Sequence, residues 1–176
     1  MNETIKKNGI TFGILSGVVT VLITTLIYVI DINLFGSWWV GLLGISISII
    51  IACVLLSKTK KELNGVFSFK EAFTTYFIMA VIGILISTTF SIILFNFIDP
   101  SLKDTIKELT IKNVVSMMEK FGGRPKDINE AIKGIQESDQ FSIGSQIKGI
   151  FSSLVVSSIF GLILAAFFKT KPNNEF

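Results

Sequence analysis

The chain has 176 residues, half of them hydrophobic and only 16% charged, with a net charge of +3 at neutral pH. Soluble domains carry nearer a quarter charged residues, so this composition argues against a soluble domain and for an integral membrane protein. There is no histidine and one cysteine, Cys53, which removes the usual zinc and haem ligands, any disulfide within the chain and any Ser-His-Asp or Cys-His triad.

The first predicted span covers about residues 10–30, "ITFGILSGVVTVLITTLIYVI", with no charged side chain. At 1.5 Å per residue such a helix is about 31 Å long, matching a ~30 Å hydrocarbon core. Lys6 and Lys7 precede it, as in a signal peptide, but the apolar run is too long for one and no A-x-A site follows, so no cleavage is expected. The second predicted span is about 38–56, "WWVGLLGISISIIIACVLL", opening on an aromatic pair that suits a membrane interface. Cys53 lies inside it and is expected to be a small packing residue.

The loop 57–73 ends in "NGVFSFKEAF". Ser68 and Glu71 have the S-x-x-E spacing of a capping box, in which the serine oxygen accepts from the backbone N–H three residues on and the glutamate reaches back. Phe67 and Ala72 can add a hydrophobic staple. Lys70 and Glu71 are thus expected in the first turn of the third helix, at headgroup level, rather than at a proton or ligand site. Phe69, Phe73 and Phe77 form its apolar face. The third span runs about 74–98, with "NFIDPSL" running from its last residues into the insert.

An insert of about residues 99–146 follows. Asp99 is expected to cap its first helix, with Pro100 at the first helical position. Leu102, Ile106, Leu109, Val114, Met117 and Phe121 fall on one face of that helix, and Gly122, Gly123 and Pro125 end it. Asp127 and Glu130 repeat the capping spacing, and Ile128, Ala131, Ile132 and Ile135 make a second stripe. The insert is too small to bury a core alone. Its apolar faces are expected to meet each other, the bundle end or the membrane surface, with an envelope partner as the alternative. The acidic pairs Asp104/Glu108 and Glu137/Asp139 read as solvated faces rather than a metal site or a glycosidase dyad. The fourth span is about 147–168, with "GIFSSLVVSSIFGLILAAFF" as its uncharged run.

Small residues recur every four positions along each span, the pattern that lets helices approach closely in lipid. They are Gly9, Gly13 and Gly17 on the first, with Ser16, Thr20 and Thr24 beside them; Gly44, Ser48 and Ala52 on the second; and Gly83, Ser87 and Ser91 on the third. The fourth carries Gly149, Ser153, Ser157, Gly161 and Ala165. These are expected to be packing seams of a compact bundle. A homo-oligomer interface or a polar path for a solute is the alternative. Basic residues set orientation. Lys6, Lys7, Lys58, Lys60, Lys61, Lys70, Lys169 and Lys171 flank the side shared by both termini and the middle loop, and the loop 31–37 has none. The expected arrangement is a single domain over 1–176 in a bacterial cytoplasmic (inner) membrane, both termini inside and residues 99–146 outside.

The signature Gly-x-x-Ser-Phe-x-x-Ala-Phe in "NGVFSFKEAF" resembles that of bacterial proteins grouped as domain of unknown function 4199. The glycine-spaced first helix, "FIDPSL" and a charged helical insert before the last span extend the resemblance over roughly residues 8–171. It implies a four-span inner-membrane protein, and no activity, substrate or catalytic residue.

The expected fold is all-α, a four-span transmembrane helical bundle with an amphipathic helical hairpin between spans three and four. No Asp, Glu, Lys or Arg lies within the uncharged runs of the four spans, which argues against an ion-driven pump of the familiar kind. No catalytic residue, cofactor or metal is expected. The leading functional expectation is a non-enzymatic scaffold or accessory subunit; the alternative is a lipid or small-solute binding or transport protein with a hydroxyl-lined path. Expected partners are membrane lipid and, as alternatives, a second copy or another membrane or envelope protein, with no nucleic acid.

Overall fold

A computed structural model describes residues 2–170; Lys171 lies outside the described residues. Six α-helices follow one another: α1 Glu3–Ile30, α2 Trp38–Glu62, α3 Phe69–Ile93, α4 Leu102–Lys120, α5 Pro125–Glu137 and α6 Ile143–Phe168. No strand occurs among the described residues. Four helices are long and apolar enough to cross a membrane: α1, α2, α6, and α3 with its continuation to Ile98. The helices outrun the uncharged spans, because a helix continues into the headgroup region until a cap stops it. Thus α2 continues past Leu56 to Glu62. There Asn64 adopts a left-handed φ of 54° and the N–H groups of Asn64 and Gly65 bond to the carbonyls of Lys61 and Lys60, a Schellman ending.

α3 is the central helix, lying along α1 and α6. The close approach to α1 comes from Gly9, Gly13 and Gly17. A Cβ on each would stand 2.7–2.8 Å from the Cβ of Ile78, Ile82 and Ile86 respectively. Gly83 faces back onto Ser16 and the Gly13 carbonyl, and Gly161 of α6 lies under the Tyr76 ring. Ala165 is fully buried.

The seam holds only in part. Gly44 and Gly149, expected at helix contacts, have no neighbour within 4 Å of a built Cβ. Ser48 is exposed and donates to the Gly44 carbonyl of its own helix at 2.9 Å; Ser153 is also exposed. The reason is divergence. α2 buries Ala52, Leu55, Leu56 and Thr59, all in its second half, while Trp38, Leu42, Leu43 and Ile45 in its first half are about half exposed or more.

Two cores result. The first sits at the end where α1 starts and α6 finishes, where Leu55, Leu56, Phe67, Ala72 and Ala165 are fully buried against Tyr76 and Met79. Polar bonds close this end. Asn8 Nδ2 donates to Glu62 at 2.7 Å and to Thr59 at 3.2 Å. The Thr170 N–H donates to the Phe67 carbonyl at 2.7 Å, and its hydroxyl accepts from the Phe67 N–H at 2.8 Å. The second core, at the opposite end, joins Leu94, Phe95, Leu102 and Ile106, with Tyr28, Phe35 and Phe141 packed on them.

The insert departs from expectation at both caps. Asp99 does not cap α4 directly: the helix begins at Leu102 behind Ser101, which makes no side-chain cap bond. Instead Asp99 accepts from the Ser101 N–H and hydroxyl, closing the turn that contains Pro100. Asp127 and Glu130 do not form a capping box. Pro125 begins α5, since its fixed φ suits the first helical position and it has no N–H to leave unpaired. Asp127 is therefore already inside the helix, held by the Arg124 guanidinium at 2.8 and 3.0 Å, and Glu130 pairs with Lys126 at 3.9 Å. α5 folds back along α4, so that Lys107 Nζ reaches the Gln136 carbonyl at 3.1 Å. The α4 stripe is buried only at Leu102 and Ile106; Met117 and Phe121, at its far end, are 55% and 86% exposed.

Candidate functional site

Between the two cores the helices stand apart. A cleft of about 550 Å³ opens among α1, α3 and α6, roofed by Ile106 and Thr110 of α4 and by Gln140 and Phe141 of the α5–α6 loop. A second cavity of about 560 Å³ lies among α2, α3 and α6. Its walls are mostly apolar, with Ile45, Ile84, Val156, Phe160 and Leu164, and Tyr76 at its core-facing end. Ser153 lines both cavities. They follow one another down α6, the cleft beside Gly149 and Ser153, the groove from Ser152 to Leu164.

The hydroxyls in this region divide into two kinds. Thr20, Ser87 and Thr110 bond to carbonyls of their own helices, at 3.0, 3.1 and 2.8 Å. That is the ordinary way a hydroxyl satisfies itself within a helix. Ser157 bonds across helices to the Tyr76 hydroxyl at 3.0 Å. Thr24, Thr88, Ser91 and Ser153 all line the cleft, and their hydroxyls have no partner among the described residues. None is sealed in, since no buried polar side-chain atom there lacks a partner. A hydroxyl left facing hydrocarbon without a bond costs on the order of 1–3 kcal/mol, so four converging on one cavity favour polar company inside it.

The roof is fixed by one asparagine. The Asp99 N–H bonds to the Leu94 carbonyl five residues back, so α3 widens into a π turn over Leu94–Ile98. Asn96 in that turn donates to the Ile92 and Phe141 carbonyls at 3.0 and 3.1 Å and accepts from Lys103 Nζ at 2.7 Å. Gln146 adds a second bond to the Phe141 carbonyl at 2.9 Å. The Phe141 ring packs on Phe95, centroids 4.5 Å apart. Beside the roof, the Ser101 hydroxyl holds the Asp99 carboxyl below its ordinary value, and the Tyr28 hydroxyl adds to this.

Of the residues singled out from sequence, the structure brings Ser87, Ser91, Gly149 and Ser153 to the cleft, and Ser48, Ser153 and Ser157 to the groove. Gly9, Gly13, Gly17, Gly83, Gly161 and Ala165 stay in helix contacts. Ser68 and Glu71 form a reciprocal cap at the start of α3, far from the cleft. Sequence reasoning missed Thr88, Gln140, Phe141 and Gln146. The available signal was the near-adjacency of Ser87, Thr88 and Ser91, which puts hydroxyls on two sides of α3.

The sequence model of a family described as "Protein of unknown function (DUF4199)" matches residues 11–170, nearly the whole chain. No curated protein and no solved structure matches.

Proposed function

This chain belongs to the DUF4199 family, and we propose that it is a non-enzymatic membrane protein that binds an amphiphile between its two cores. The observation that carries this reading is the convergence of Thr24, Thr88, Ser91 and Ser153 on a cleft that adjoins a mostly apolar groove at Ser153. A cleft carrying open hydroxyls beside a mostly apolar groove, with Ser153 bordering both, matches a molecule with a head and a tail. The volumes fall within the ~300–1,000 Å³ of ordinary small-molecule sites.

The setting is a bacterial cytoplasmic membrane with both termini inside. The basic residues Lys6, Lys7, Lys58, Lys60, Lys61 and Lys70 support that orientation by the positive-inside rule. The cleft then opens in the outer half of the bilayer, beneath an extracytoplasmic α4–α5 hairpin. A second reading, a scaffold or accessory subunit acting through the insert, is favoured by the exposed Met117 and Phe121 at the tip of α4.

The test is native mass spectrometry of the full chain purified from phospholipid membranes in mild detergent. One amphiphile retained per chain is the expected result. Ser153→Phe, which fills the junction of the cavities, should lose it. Val155→Phe, on a 64% exposed position, should keep it. Equal retention by both variants would remove the cleft from consideration.

A further inference from the structure

The chemistry of the cavity walls specifies the amphiphile further. We infer that the ligand is a neutral lipid, with one long acyl chain in the groove and an uncharged, hydroxyl-bearing head in the cleft; this rests on the amphiphile-binding reading.

Three observations argue for the head. First, the cleft and the groove have no Asp, Glu, Lys or Arg among their lining residues. A phosphate or ammonium at that depth would lose its hydration with no countercharge to replace it. Second, two of the three lysines flanking the roof are held by other groups and the third is exposed. Lys103 Nζ is bound to Asn96 Oδ1 at 2.7 Å and Lys107 Nζ to the Gln136 carbonyl at 3.1 Å; Lys148 is exposed. Third, the open groups are neutral, the Gln140 amide and hydroxyls on three different helices, Thr24 on α1, Thr88 and Ser91 on α3, and Ser153 on α6. Each can donate and accept at once. An alcohol offers the same pair of capacities, so a head with one or more free hydroxyls satisfies both sides.

The tail follows from length. The groove extends along α6 from Ser153 to Leu164, about 16 Å at 1.5 Å per residue. That is close to one leaflet's share of a ~30 Å hydrocarbon core. Tyr76, its hydroxyl held by Ser157, forms part of the α3 wall, and Leu164 at the far end packs on the first core. Head and tail are therefore placed end to end across Ser153.

Two probes test this, monooleoylglycerol and oleoyl lysophosphatidic acid. They share the chain and the glycerol and differ by one phosphate. Presented together at equal concentration to the full chain in mild detergent, monooleoylglycerol should be retained in preference by about tenfold in native mass spectra. Thr24→Val with Ser91→Ala should cut its retention by about fivefold, the worth of about one net hydrogen bond, with the thermal midpoint unchanged. Equal or better retention of the lysophosphatidic acid would overturn the neutral head while leaving amphiphile binding intact. Retention of neither above the Ser153→Phe background would overturn both. An undiminished signal in the double variant would overturn the role given to the hydroxyls.

Discussion

Gly13 and Gly44 occupy the same kind of position in the sequence, a small residue in a four-residue series within an uncharged run, and the structure treats them oppositely. At Gly13 a methyl group would stand 2.7 Å from Ile82 Cβ and 3.0 Å from the Met79 carbonyl; at Gly44 it would meet nothing within 4 Å. Periodicity identifies a helix face but not what that face meets, so this difference was not legible. It has a measurable consequence. Gly13→Ala should force α1 from α3 and destabilise the protein by about 1–3 kcal/mol, as overpacking does. Gly44→Ala should stay within about 0.5 kcal/mol of the parent. Thermal unfolding in detergent, followed by a thiol-reactive dye at Cys53, reports both, since Cys53 is half-buried on α2. Equal shifts in the two variants would show that α2 closes on α1 more tightly than its open glycine implies.

At the scale of elements, what is local in sequence was legible and what is tertiary was not. The α3 cap needs only residues three apart: Ser68 Oγ accepts from the Glu71 N–H at 3.2 Å and Glu71 accepts from the Ser68 N–H at 2.8 Å. The staple residues Phe67 and Ala72 beside it are both fully buried. Ser68→Ala should cost about 1 kcal/mol. Glu71→Ala should cost a similar amount, and the double variant less than the sum, because the two share one motif. Full additivity in thermal midpoints would mean that the two side chains act separately. The same spacing at Asp127 and Glu130 misled because Pro125 starts the helix two residues earlier. The π turn at Leu94–Ile98 has no such signature. Its asparagine is fixed by the Phe141 carbonyl, 45 residues away, and by Lys103. The cleft depends on that turn for its roof, so its hydroxyls could be read as a pattern but not as a cavity.

For the whole molecule, the number of crossings and the bonds at one end lead to a single test of topology. Asn8 reaches Glu62, and Thr170 pairs with Phe67, so the start of α1, the α2–α3 loop and the end of α6 lie together. The insert lies at the other end, where Tyr28 of α1 bonds to Asp99 at 3.3 Å. If each of the four candidate spans crosses once, these two ends lie on opposite sides of a bilayer. That much follows from length and hydropathy, which is why the architecture was readable from sequence. Which end faces the cytoplasm rests on lysine placement alone. In a Cys53→Ser background, Lys126→Cys should react with a membrane-impermeant maleimide in sealed right-side-out vesicles, and Lys60→Cys only after permeabilisation. The reverse pattern would keep the four crossings and turn the cleft towards the inner leaflet, so the amphiphile would enter from the cytoplasmic half. Labelling of both positions from one side would contradict the four crossings themselves. The cleft would then no longer lie at acyl depth, and its open hydroxyls would need no ligand, because water could satisfy them.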